Sequence, residues 1–191
     1  PDYIKEARLI IQDLWRLAVI KLPSGYYINP GDYAPFFEDY LTLNPSYFAP
    51  YVYRHFARYD SAHETEWRSL ASNIYPTLSA CTNLHPKKLP PNWCAVQWNT
   101  GKIIDSDKQG ETARDFSYDA FRTFWRMAMD ASLGSQEARR YLGEHPELLN
   151  YLAVYQTLPE GFTGNGQPNG QAPSGFALSS ALAQSRWVMP G

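Results

Sequence analysis

The chain has 191 residues, 44% hydrophobic and 19% charged, with 17 Lys+Arg against 19 Asp+Glu and a formal net charge of −2. This length suits a single domain spanning 1–191 that buries a core without staples. The near-neutral balance argues against a nucleic-acid partner held by phosphate attraction, and no apolar run approaches the roughly 20 residues of a membrane span.

Lys5, Glu6 and Arg8 interrupt the first residues, which do not read as a signal peptide. From Asp2 to Ile20 the apolar positions Ile4, Ala7, Ile10, Ile11, Leu14, Leu17 and Ala18 recur at helical spacing and predict a helix with one buried face. Leu22 to Leu43, with Pro23, Gly25, Pro30, Gly31 and Pro35, reads as an irregular crossing with a short extended piece at Gly25 to Ile28. Asn44 and Pro45 form an N-cap and N1 pair, predicting a helix to about Tyr59 with Pro50 tolerated near its first turn. A further helix is expected from His63 to Cys81, with a kink at Pro76.

A long loop at about 84–116 follows, carrying Trp93 and Trp98, with short strands allowed at Cys94 to Trp98 and Lys102 to Ile104. Helices are predicted from Ser117 to Leu133, from Ser135 to about Leu142, and from Pro146 to about Leu158. A Gly-rich turn at 161–175 leads to a last helix of small residues, Ser174 to Trp187. No strand run is long enough to build a sheet, so the class is all-α with antiparallel hairpins.

Aromatic residues make 15% of the chain, 6 Trp, 14 Tyr and 9 Phe, and rings of this kind either fill helix contacts or stack on the apolar faces of sugars. His55, His63, His85 and His145 lack metal-ligand spacing, so no metal is expected. Cys81 and Cys94 suit either a disulfide or two thiols. The segment most loaded with chemistry is Asp115 to Arg126. On a helix Asp119 faces Arg122 at i,i+3 and lies nearly in line with Arg126, so one carboxylate meets two guanidinium groups at the positive helix end. A carboxylate so held can take a proton from a water, half of glycosidase acid/base chemistry; the same spacing also serves plain helix stability.

The ordered segments LNPSYFAPYVYRHFARYD, LPPNWCAV and FSYDAFRTFWRMAMD resemble the second half of the catalytic domain of glycoside hydrolase family 8. GFTGNGQPNGQAPSGFALSSALA resembles the turn and small-residue helix that follow there. The resemblance implies an α/α toroid, an (α/α)6 barrel incomplete in this chain, and an inverting endo-β-1,4-glucanase of the cellulase type. Xylan or chitosan are the family's other substrates, and a noncatalytic carbohydrate-binding or assembly fragment is the alternative of another class. It assigns Asp119 as the water-activating base, Tyr118 and Arg122 as its neighbours in placing water and sugar, and Trp93 as a stacking platform. No cofactor is implied. Asn92 stands where the family commonly has Asp. The family's general-acid glutamate lies in its N-terminal half; the glutamates here, among them Glu38, Glu147 and Glu160, read as solvated. A complementary N-terminal segment is therefore expected to cover Ile10, Leu14 and Leu17, and the resemblance implies secretion or the periplasm of a bacterium.

Overall fold

The computed structural model describes residues 2–31, 39–106, 109–170 and 175–188. Its helices run in chain order as α1 (Tyr3–Ala18), α2 (Pro50–Phe56), α3 (Glu64–Leu84), α4 (Tyr118–Ser132), α5 (Gln136–Glu144), α6 (Glu147–Tyr155) and α7 (Gly175–Val188). Short strands β1 (Val19–Leu22) and β2 (Gly25–Ile28) form a hairpin. β3 (Tyr40–Leu43), β4 (Cys94–Gln97) and β5 (Ile103–Asp105) form an antiparallel sheet in that order, and β6 (Gly161–Phe162) pairs with β7 (Pro168–Asn169). The fold is helical in class, a partial α/α toroid.

The sheet and the helix after Asn44 correct the expectations. A three-stranded sheet does form, because Tyr40–Leu43, placed in the irregular crossing, is buried at all four positions and pairs with Cys94–Gln97. The single helix expected from Asn44 is split. Asn44 caps only a 3-10 turn, Pro45–Tyr47, and Phe48 turns extended and Ala49 stays non-helical before Pro50 opens α2. The ring of Pro50 disfavours helical backbone at the residue before it, so the proline starts a helix rather than sitting inside one. Glu38 and Pro35 lie outside the described residues.

The core joins Trp67, Leu70 and Leu78 of α3 to Phe121, Phe124 and Met127 of α4, all essentially inaccessible. The expected buried stripe of α1 is instead almost entirely exposed. Only Ile11 is buried, while Ile4, Ile10, Leu14 and Leu17 face outward. Trp15 anchors the helix by stacking on His63 at 4.6 Å and meeting Trp67 edge-on at 4.9 Å. Cys81 and Cys94 form a disulfide, Cα–Cα 5.8 Å, tying α3 to β4.

His85 ties the end of α3 to the segment after β6. Its Nε2 lies 3.0 Å from the Thr163 carbonyl and its Nδ1 accepts from the Lys87 N–H at 3.2 Å, a pair of bonds that only the neutral Nε2–H tautomer can make. Burial holds both His85 and His145 below the ordinary histidine pKa. A histidine depressed in the folded state contributes fully above its unfolded pKa of about 6.5 and loses that contribution as pH falls below it. Thermal midpoints are expected to drop on acidification from about pH 6.5 towards 5. In His85→Gln the amide donates to Thr163 without titrating, so part of this drop should disappear; an unchanged acid slope would refute the assignment.

Candidate active site

The start of α4 sits at the bottom of a cleft of about 640 Å³. Ser117 occupies the N-cap position, yet its side chain makes no capping bond. Asn92 supplies the cap from 28 residues away. Its Oδ1 accepts from the Ala120 N–H at 3.1 Å, while its Nδ2 donates to the Thr112 carbonyl at 3.0 Å and to Ser117 Oγ at 2.6 Å. The backbone of the same loop is zipped to 113–115, Asn92 N–H to Asp115 O and Trp93 N–H to Ala113 O, both 2.8 Å. The Asn92 amide thus fixes the helix start, and the backbone pairing beside it holds the Trp93 segment.

In Asn92→Asp the acceptor for Ala120 remains, but the donor to the Thr112 carbonyl is lost and two oxygen lone-pair sets face each other. Leaving a buried acceptor unpaired costs about 1–3 kcal/mol, against the roughly 0.3–1 kcal/mol that a negative charge gains at a helix start. The net expectation is a destabilisation of about 1–2 kcal/mol in urea unfolding; a stabilised variant would refute the capping account.

Asp119 is the second residue of α4. Arg122 Nη2 donates to Asp119 Oδ1, and Asn44 Nδ2 donates to Asp119 Oδ2 at 3.1 Å. The Asp119 side chain is 33% exposed and lines the cleft, so its oxygens communicate with solvent. Asn44 therefore has two tasks, since its Oδ1 also accepts the Ser46 N–H at 3.0 Å. Arg122 in turn donates to Ser46 Oγ at 3.1 Å and lies over the Tyr47 ring, 5.6 Å to the centroid. Arg126 does not join Asp119 as its spacing suggested. It bends to the Ser46 carbonyl at 2.5 Å and the Tyr51 hydroxyl at 3.5 Å, which staples α4 to the 3-10 turn.

Tyr118, 70% exposed, stands at the cleft edge with its hydroxyl 3.5 Å from Glu160 Oε1. The cleft thus gathers Trp93, Tyr118 and Asp119, while Arg122 braces Asp119 from a neighbouring hollow. Two carboxylates missed by the sequence reading also line it. Asp115 is buried, with Oδ1 accepting the Gly164 N–H at 2.7 Å, and Glu160 is exposed. Glu160 belongs to a wall seated by close approach. A Cβ on Gly161 would lie 2.6 Å from the Phe116 carbonyl, and one on Gly170, at φ +76°, would lie 2.4 Å from Glu160 Oε2. Glu147, also read as solvated, is half-buried, and burial pushes its carboxyl up. No group of three or more His, Cys, Asp and Glu able to hold a metal occurs among the described residues.

Residues 3–167 match the family described as glycosyl hydrolases family 8. The chain is 30% identical over 166 residues to Endoglucanase 2 of Ruminiclostridium josui, a match covering 86% of this chain and 32% of that protein. It is 30% identical over 183 residues to Endoglucanase C of Ruminiclostridium cellulolyticum, covering 95% of this chain and 36% of that protein. The chain thus spans about a third of the length of these curated relatives. Among solved structures, the endo-beta-1,4-glucanase CMCax from Acetobacter xylinum superposes with a TM-score of 0.78 at 22% identity, over 96% of this chain and 55% of that one. With the family match running from α1 through β6 and the same fold in a solved glucanase, the chain belongs to glycoside hydrolase family 8.

Proposed function

We propose that this chain is part of the catalytic domain of an inverting endo-β-1,4-glucanase in which Asp119 is the water-activating base. The observation that carries the reading is an ion-paired carboxylate at a helix start, opening on a cleft with aromatic rings at its sides. Arg122 and Asn44 fix both oxygens of Asp119, so the lone pairs facing the cleft keep one direction. In the reaction a water beneath the anomeric carbon gives a proton to Asp119 and bonds to that carbon. The glycosidic C–O bond breaks as a second carboxylic acid protonates the departing oxygen, and the configuration inverts. Trp93 stacks a glucosyl ring and Tyr118 helps place the sugar or the water.

The acid must stand roughly 6.5–9.5 Å from the base to admit the water. We assign it to a glutamate of sequence outside this chain. The exposed apolar side of α1 supports such a complementary N-terminal segment. Tyr3, Ile4, Ala7 and Ile10 of α1 border an apolar groove of about 410 Å³ with Phe56 and Tyr59. The disulfide favours a secreted or periplasmic location, where oxidised cysteines persist.

Reducing-sugar release from carboxymethylcellulose, with the product anomer followed by NMR, tests the reading. Release of the α-anomer is expected, whereas binding without release would favour a noncatalytic carbohydrate-binding role. Chitosan is the second reading, because Asp115, Asp119 and Glu160 line the cleft and, among the described residues, no lysine, arginine or histidine does. Faster release from chitosan than from glucan would establish it.

A further inference from the structure

We infer that Phe176 is a second sugar-stacking platform, extending the binding track past Asp119; the inference rests on the glucan-cleft reading above. Phe176 sits in the first turn of α7, 54% exposed, and lines the same cleft as Trp93. Its position is fixed to α4, the helix that carries Asp119. Ser180 Oγ lies 2.9 Å from the Phe121 carbonyl and 3.0 Å from the Phe176 carbonyl, and the buried Ala177 and Ala181 let the two helices approach closely. The Phe176 ring runs nearly parallel to Phe121, 8° between planes and 6.3 Å between centroids, and tilts against Trp125 at 6.3 Å.

Trp125 belongs to a neighbouring hollow of about 260 Å³ that Arg122 also lines. Asp119 therefore lines the larger depression and its guanidinium partner the smaller, while Phe176 lines the larger and touches Trp125 of the smaller. An exposed ring held rigidly by packing loses little freedom when a pyranose lands on it. Phenylalanine lacks the edge hydroxyl of Tyr118, so it reads the apolar face of the sugar and leaves the hydroxyl pattern to other groups.

The test is calorimetric titration of cellobiose through cellohexaose into the protein, its Phe176→Ala variant and its Phe176→Tyr variant. In Phe176→Ala the affinity for cellohexaose should fall about 10-fold while cellobiose, seated at Trp93, changes by less than about 2-fold. Phe176→Tyr should restore the long-chain affinity. Unchanged affinity at every length in Phe176→Ala, or an equal loss at every length in both variants, would overturn the platform. Absence of binding by the parent protein would overturn the glucan-cleft reading and this inference with it.

Discussion

Replacing Asp119 by asparagine is expected to lower the turnover of the active enzyme by about 10²–10⁴-fold while oligosaccharide affinity stays within a few-fold. The substitution removes little volume, so the Trp93 ring and the cleft shape persist. On the proposed role, what disappears is the group that accepts the proton of the attacking water, at a barrier cost of about 3–5 kcal/mol. A local side effect can be foreseen. Both oxygens of Asp119 accept from donors, Arg122 and Asn44, and an amide offers only one oxygen. One donor must turn away, which predicts a small loss of thermal stability alongside the large kinetic one. The discriminating measurement is therefore the split between kcat and oligosaccharide affinity. Turnover within about 10-fold of the parent would remove Asp119 from the base role, and a parallel collapse of affinity would make it a structural residue.

The Asp119–Arg122 pair was legible in the sequence because the relation is local. Residues three apart share a helix face, and the ion pair forms as that spacing dictates. The other half of the site arises from contacts with no sequence period. Asn44 reaches Asp119 across 75 positions and Asn92 reaches Ala120 across 28. Asn44 was read correctly as a cap, but its amide nitrogen was free for a second partner that only the fold supplies. Arg126 shows the reverse error. Its spacing favoured Asp119, yet the Ser46 carbonyl, brought near by the 3-10 turn, took its guanidinium.

The missed sheet has a similar cause. Tyr40–Leu43 is buried at every position, its one polar residue Thr42 included, and a short, mostly apolar run looks alike in a helix and a strand. The Asn44-Pro45 turn signal after it was the available clue to a strand. Glu160 looked solvated and is exposed, but its exposure is to the cleft. Periodicity reports which face leaves the core and is silent on what that face meets.

Arg54→Met is expected to destabilise the fold by about 3–5 kcal/mol without moving oligosaccharide affinity, because it strands a buried charge at the far end of the helix that carries Asp119. Asp130 lies 11 residues beyond Asp119 on α4, about 16 Å along its axis. Its side chain is wholly inaccessible, and Arg54 of α2 and the Tyr75 hydroxyl of α3 each donate to one of its oxygens. Burial, and then the bond to Asp130, push the Tyr75 phenol above its ordinary range, so it stays a neutral donor and cannot balance the charge alone. Arg54 is 37% exposed and its own half of the pair is screened; the expected cost comes from the carboxylate left in an apolar interior. Hence the double variant Arg54→Met, Asp130→Leu should recover much of the loss, since removing both partners removes the stranded charge. Thermal midpoints should fall by roughly 10 °C in the single variant and by clearly less in the double. A single-variant loss under about 1 kcal/mol would mean that water reaches Asp130, and the helix would then be aimed by its contacts with Asn92, Asn44, Ser46 and Ser180.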